Sequence, residues 1–184
     1  MFNKNQTYEQ HDNEKISFYR SSIDNLNSKD QLNSDINVDV CVIGGGLTGI
    51  SSALNLSKKG YSVVLCEARQ IGWGASGRNG GQLGIGMRKD QYTIEKKLGL
   101  NHAKELWNLG LESVDEVKNL IKEHNINCHI VNGVMSTACF AKDIDEYKFE
   151  IEHMSKNYNF EGYKFYNKDE IREEINSEMY LAGM

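Results

Sequence analysis

The stretch that most constrains the fold is VDVCVIGGGLTGISSALNLSKKGYSVVLCEA, residues 38–68, in which glycines cluster between two apolar runs. The run at residues 38–43 consists almost entirely of β-favouring residues and predicts a buried strand. The pattern becomes helical over residues 47–59, and Gly60 ends it as a C-cap glycine does. Residues 61–66 predict a second buried strand. This order predicts two parallel strands joined by a right-handed helical crossover.

The glycines after the first strand follow the GxGxxG spacing of dinucleotide-binding turns, with Gly44, Gly46 and Gly49 at the motif positions. Gly44 permits the tight turn, Gly46 lets a pyrophosphate approach the main chain, and Gly49 lets the helix pack closely on the strand. The helix N-terminus adds unpaired N–H groups and a partial positive charge. Glu67 follows the second strand, where a carboxylate accepts hydrogen bonds from ribose hydroxyls and repels a 2′-phosphate. A dinucleotide other than NADP is therefore predicted, and a glycine-rich turn without a ligand is the alternative interpretation.

The glycine-rich loop IGWGASGRNGGQLGIG, residues 71–86, bears on which dinucleotide is bound. An NAD domain would usually continue into another βα unit at this point. Here a loop containing Ser76, Arg78, Asn79 and Gln82 follows, and such a loop can wrap backbone amides around an extended dinucleotide. The loop favours FAD, while an NAD-dependent dehydrogenase and a merely flexible surface loop remain alternatives. Arg78 is a candidate charge beside the cofactor or, equally, a structural ion-pair residue.

The chain is predicted to contain three regions. Residues 1–36 form a polar N-terminal arm, residues 37–100 a Rossmann-type FAD-binding portion, and residues 101–184 an incomplete portion of helices and antiparallel sheet. In the third region, Asn132-Gly133 lies between two β-like runs and predicts a hairpin. The NKDE sequence that begins at Asn167 has capping-box spacing and predicts the start of a helix. The predicted fold class is α/β: a Rossmann-type βαβ unit followed by a mixed α+β portion, which the family resemblance given below implies is the start of a substrate domain.

Composition argues against several other classes of protein. The net charge is −5 and no long basic run exists, so nucleic acid is not an expected partner. The apolar runs are far shorter than the ~20 residues of a membrane helix, and the N-terminus lacks an apolar signal-peptide core, so a cytoplasmic protein is predicted. The cysteines and histidines show no zinc or triad spacing, so no metal site is predicted and no catalytic residue is assigned. Cys41 and Cys66 are expected to be buried as small apolar residues.

The glycine motif and the loop together carry a family resemblance. VIGGGLTGISSALNLSKKGYSVVLCEA followed by GWGASGRNGGQ resembles the FAD-dependent oxidoreductases of the D-amino-acid-oxidase and glycine-oxidase superfamily, and within it the gamma-glutamylputrescine oxidoreductase-like group. GASGRNGGQL is the most specific piece, and SFYRSS upstream and YLAGM at the end are also similar to that group. Members are considerably longer, so the chain resembles their N-terminal part. We therefore expect it to be truncated and incomplete as an enzyme when alone.

The resemblance implies FAD as the cofactor and oxidation of a C–N bond of an amine or amino acid, such as gamma-glutamylputrescine, by hydride transfer to the flavin. It implies a small-molecule substrate and a missing C-terminal half or second chain as partner. Two alternatives to the oxidoreductase are an inactive nucleotide-binding fragment and one half of a split enzyme; the NAD-dependent dehydrogenase is the third. The implied cofactor-binding residues run from the glycine turn through the loop: Ile43, Gly44, Gly46, Leu47, Thr48, Gly49, Glu67, Ala68, Arg69, Gly74, Ala75, Ser76, Asn79, Gly80, Gly81 and Gln82.

Overall fold

The computed structural model of the protein describes residues 17–23 and 31–184. They fall into two compact units, which we call the first unit (up to Gly81) and the second unit (from Gln82). The rest of the predicted N-terminal arm, residues 1–16 and 24–30, lies outside the described residues. The elements in chain order are α1 (Phe18–Ser21), β1 (Val40–Ile43), α2 (Leu47–Lys58), β2 (Val63–Cys66), a 3-10 turn (Ala75–Gly77), α3 (Gln91–Leu98), α4 (Leu100–Glu123), β3 (Thr137–Ala138), α5 (Ala141–Tyr158), α6 (Lys168–Glu174) and β4 (Ala182–Gly183).

The first unit contains the predicted parallel βαβ arrangement. Strands β1 and β2 pair in parallel, with Val40 opposite Val63 and Ile43 opposite Cys66. Helix α2 connects the two strands and packs against both. The two compact units are divided between Gly81 and Gln82 according to how the chain packs. The predicted regions, which end at residues 36 and 100, are defined by their expected part in cofactor binding, and that division stays a prediction.

The predicted burial of the strands is wrong for one face of the sheet. Side chains alternate along a strand, and Val40 and Val42 are half-buried while Cys41 and Ile43 are exposed. Ile43 is 88% exposed, and Cys66 is only half-buried. An apolar run predicts a strand, but it does not say which faces of that strand are covered. In the described residues α2 covers one face of this pair, and the thiol of Cys41 lies on the open face.

Helices α3, α4 and α5 supply much of the packing in the second unit. Helix α3 is capped by Asp90, whose side chain accepts a hydrogen bond from the N–H of Thr93 at 2.8 Å. Helix α4 buries a stripe whose members recur every three or four positions, as expected for one helix face. The stripe consists of Ala103, Trp107, Gly110 and Val114. A Cβ on Gly110 would overlap the carbonyl oxygen of Ile85, so this helix lets the preceding chain approach closely.

A polar cluster links α3 to α5. The Oε1 atom of Glu95 lies 2.6 Å from Nε2 of His153 and accepts a hydrogen bond from the Tyr158 hydroxyl at 2.8 Å. Gln91 donates to the same hydroxyl at 3.1 Å. Burial is the main cause that raises the pKa of Tyr158 to about 12. No sequence pattern indicated this cluster, because His153 and Glu95 are 58 residues apart.

The small sheet of the second unit corrects the predicted hairpin. Strands β3 and β4 are antiparallel, with Thr137 opposite Gly183, and Tyr166 pairs with the other side of Gly183. Residues 126–136 contain no strand, so the hairpin at Asn132-Gly133 is wrong. The turn signal describes local geometry only, and the flanking Val131 is 83% exposed, so its apolar side chain contributes little packing to hold a strand in place. The residues after that turn pair instead with the segment at 181–184.

Helix α6 begins with the predicted capping box. The Asn167 side chain accepts from the N–H groups of Asp169 and Glu170, and Glu170 Oε2 accepts from the Asn167 N–H at 2.8 Å. The helix orients Ile171, which is fully buried against β4. In the parts of the chain that the structure describes, no helix is both long and apolar enough to cross a membrane.

Candidate functional site

The candidate site is built on the turn between β1 and α2. Gly44 has φ of +104°, a conformation that favours glycine, and its N–H donates to the Cys66 carbonyl at 2.8 Å. A Cβ on Gly49 would overlap the Gly44 carbonyl oxygen, so helix and strand meet here through bare main chain. Gly46 differs from Gly44 and Gly49, because its φ of −83° is accessible to any residue. Among the described residues, the atoms that an added Cβ would meet belong to the Ser76 side chain. The fold therefore requires glycine at two motif positions and leaves the third unexplained by backbone geometry.

The N-terminus of α2 is an anion-binding environment. Gly46 is the N-cap residue and offers no side chain to cap the helix. The N–H of Leu47 instead donates to the Ser76 hydroxyl at 3.0 Å, 29 residues further along the chain. Thr48 is exposed in the first turn. A helix N-terminus with exposed N–H groups favours a negative ligand.

Glu67 lies against the same turn. Its Oε2 accepts from the N–H of Gly45 at 2.6 Å and its Oε1 accepts from the N–H of Arg69 at 2.9 Å. These hydrogen bonds, the one from Gly45 first, lower the pKa of the Glu67 carboxyl. The side chain is therefore a carboxylate at neutral pH, and each oxygen has lone-pair capacity left for a hydroxyl donor.

The glycine-rich loop folds back onto the turn. The N–H of Gly72 donates to the Gly45 carbonyl at 2.9 Å, and the 3-10 turn brings the Ser76 hydroxyl to the start of α2. A Cβ on Gly77 would overlap the carbonyl oxygen of Gly72, so the loop closes tightly on itself. The loop is therefore an ordered structure whose Ser76 faces the predicted phosphate position.

Other loop residues support the loop itself. The Asn79 amide donates to the carbonyls of Ala75 and Ser76 at 3.3 and 3.0 Å and accepts from the N–H of Gly81 at 2.8 Å. The Nε of Arg78 donates to the Trp73 carbonyl at 2.9 Å, and its guanidinium lies 5.1 Å from the Trp73 ring centre. A cation over an aromatic face is a stabilising contact. These contacts favour the structural interpretation of Arg78.

The other predicted residues lie at the strand ends and in the loop. Ile43 is at the end of β1, Ala68 follows Glu67, and Gly74 and Gly80 are exposed in the loop. Gln82 is exposed and is the first residue of the second unit, and its part in cofactor binding stays a prediction.

Sequence reasoning missed a residue that shapes the site. Gly45 is buried and supplies the N–H that holds Glu67, and a Cβ there would lie 2.5 Å from Cδ1 of Ile71. Gly45 occupies an unspecified position of the GxGxxG pattern, so the motif carried no signal for it. The triple glycine at residues 44–46 was the feature that could have indicated it.

The residues present fit a dinucleotide. Backbone N–H groups at a bare helix N-terminus, one hydroxyl and an ionised carboxylate are a donor and acceptor set that suits a diphosphate and a ribose. Among the residues that the structure describes, no three His, Cys, Asp or Glu side chains are grouped as metal ligands would be.

A βαβ turn of this kind, with Glu67 directly after β2, is typical of dinucleotide-binding proteins. The chain matches the model of the DAO family, "FAD dependent oxidoreductase", over residues 39–183, and it belongs to that family. Family membership implies FAD as the cofactor.

The curated relatives that the chain resembles are also named as oxidoreductases. The chain is 36% identical over 168 residues to the gamma-glutamylputrescine oxidoreductase of Escherichia coli (strain K12), covering 91% of this chain and 39% of that protein. It is 34% identical over 147 residues to "Probable oxidoreductase OrdL" of Haemophilus influenzae, covering 79% and 34%. It is 34% identical over 146 residues to the protein of the same name from Rhizobium meliloti, again covering 79% and 34%. The chain thus spans about two fifths or less of the length of these relatives. No solved structure matches it significantly.

Proposed function

We propose that the chain is the FAD-binding part of an oxidoreductase that oxidises the C–N bond of an amine or amino acid. The observation that carries the proposal is Gly46, a glycine that the backbone conformation does not require. It is the N-cap residue of α2 and has no side chain of its own, and a side chain there would obstruct an approaching phosphate. The family match favours FAD over the NAD-dependent alternative.

In this proposal the main chain at Gly46 and Leu47 receives the pyrophosphate of FAD. Ser76 accepts from the N–H of Leu47, and its own hydroxyl proton would donate to a phosphate oxygen of FAD. Glu67 accepts from the ribose hydroxyls and, as a carboxylate, repels a 2′-phosphate. Asn79 keeps the loop in shape. When bound, FAD supplies the chemistry by accepting a hydride from the carbon beside the amine.

The substrate proposed first is gamma-glutamylputrescine, on the strength of the name of the E. coli relative. No acid or base beside a substrate is assigned among the described residues. Oxidation of a neutral amine depends more on its alignment with the flavin than on a strong base. Since the chain spans 39% of that relative, we propose that this chain alone binds FAD and that turnover requires the remainder of a full-length protein or a second chain.

Titration of FAD with the purified chain, followed by quenching of flavin fluorescence, tests the binding proposal. We expect saturable binding by the wild type, its loss in Gly46→Val, and no change in Ser52→Ala, because Ser52 is exposed on α2 beyond its first turn. Wild-type affinity in Gly46→Val, or binding of NADH in place of FAD, would refute the site assignment. Peroxide release by the full-length protein with gamma-glutamylputrescine, compared with putrescine and glycine, tests the substrate.

A further inference from the structure

The short helix α1 is attached to the glycine-rich loop by a hydrogen bond across 60 residues. The hydroxyl of Ser17 donates to the Gly77 carbonyl at 3.0 Å. The same hydroxyl accepts from the N–H of Arg20 at 3.3 Å and so caps α1. One side chain therefore caps the helix and fixes it to the loop.

A second contact lies further along the loop. A Cβ added to Gly81 would stand 2.7 Å from the Tyr19 hydroxyl oxygen and 3.3 Å from its ring, so this ring covers the main chain at Gly81. Gly81 has φ of +69°, which also disfavours a side chain. Phe18, the neighbouring residue of the same helix, is 78% exposed. The helix thus has a side that faces the loop and a side that faces solvent.

The two contacts enclose the residues that present Ser76 to α2. Gly77 directly follows Ser76, and Gly81 donates its N–H to Asn79, whose amide in turn binds the Ser76 carbonyl. The contact is not tightly packed, since a cavity of about 110 Å³ remains between α1 and the loop. Its effect on the loop should therefore be moderate.

We propose that residues 17–22 are a strap that holds the glycine-rich loop in its cofactor-binding conformation before FAD arrives. Ser17 and Tyr19 are positioning residues, which act through the loop. The inference rests on the proposed function, because the loop matters to FAD only if FAD binds at the turn. A loop ordered in advance loses less conformational entropy on binding, so the strap should raise affinity without contacting the cofactor.

Amide hydrogen exchange of the full chain without FAD tests the strap directly. We expect Ser17→Ala and Tyr19→Ala to speed exchange in peptides covering residues 76–81, with β1 and β2 unchanged, since exchange reports local opening. Ser17→Thr keeps the hydroxyl and should restore slow exchange. Ser21→Ala is the matched control, because the exposed Ser21 hydroxyl donates to the Phe18 carbonyl within α1, and it should exchange as the wild type does.

FAD titration of the same variants is the second measurement. The loss of one net hydrogen bond corresponds to a rise of about 3- to 10-fold in Kd for Ser17→Ala, with Ser17→Thr near the wild type. Loop exchange that is unchanged in both Ser17→Ala and Tyr19→Ala overturns the strap, as does faster exchange throughout the first unit. A wild type that fails to bind FAD refutes the proposed function instead, and the exchange data still decide the strap.

Discussion

Gly46 and Gly49 lie three positions apart, and the same added methyl group should have different effects at the two sites: mainly lower stability at Gly49 and mainly weaker FAD binding at Gly46. In Gly49→Ala the new Cβ would overlap the main-chain carbonyl of Gly44, which cannot rotate away. Overpacking of this kind lowers the unfolding free energy by about 3 kcal/mol at the upper end of its usual range. The better helix propensity of Ala offsets about 1 kcal/mol of that loss. The unfolding free energy should therefore fall by about 2 kcal/mol.

In Gly46→Ala the methyl meets a different neighbour. Its φ of −83° admits alanine, and the nearest atom is the Ser76 hydroxyl oxygen at 3.0 Å, which can turn aside. Loss of glycine at an N-cap costs about 1 kcal/mol or less. The methyl stands where a phosphate approaches, and the loss of one charge-assisted hydrogen bond, about 1.5–3 kcal/mol, weakens FAD binding by about 10- to 100-fold.

Urea unfolding followed by circular dichroism measures the first effect, and flavin fluorescence titration measures the second. Ser52→Ala is the control for both, because Ser52 is exposed on α2 beyond its first turn. If Gly46→Ala destabilised the fold as much as Gly49→Ala, or bound FAD with wild-type affinity, the separation between a packing glycine and a ligand-binding glycine would be wrong.

Three further substitutions test other parts of the structure. Because hydrogen bonds lower the pKa of Glu67, its carboxylate stabilises the fold above its ordinary pKa and this contribution is lost as the pH falls through the lowered value. Glu67→Gln should thus flatten the acid side of the curve of unfolding free energy against pH, measured by urea denaturation. His153→Ala removes the contact to Glu95 and should cost about 1–3 kcal/mol in urea unfolding, whereas the exposed His102→Ala should be near neutral. Asn167→Ala removes the α6 cap and should lower stability by about 1 kcal/mol in thermal unfolding, and an unchanged midpoint would contradict the capping role.

Local signals predicted the first unit well. The parallel pair β1 and β2, the crossover α2 and the tight turn at Gly44 all follow from patterns within a stretch of about thirty residues. The capping box at Asn167 is also local and is confirmed. The role of the predicted residues in binding FAD stays a prediction.

What the sequence could not predict depends on residues distant along the chain. Nothing near Ser17 indicates that its hydroxyl binds Gly77, and nothing near His153 indicates Glu95. The apolar run containing Cys41 predicted a strand correctly, but its exposure depends on what covers the sheet. Asn132-Gly133 has the composition of a hairpin turn, but the residues after it pair with β4 instead. β3 and β4 are far apart in the sequence, so no local rule connects them.

The position of β4 has a consequence for synthesis on the ribosome. The nascent chain has both strands of the first sheet once Cys66 has been made. The second sheet is completed only when Gly183 has been made, because its N–H and carbonyl both bond to Tyr166 while its neighbours Leu181 and Met184 bond to the β3 side. A translation product that stops before Gly183 should therefore carry a formed glycine turn and an unclosed second unit, the kind of partly folded chain that cellular proteases degrade first.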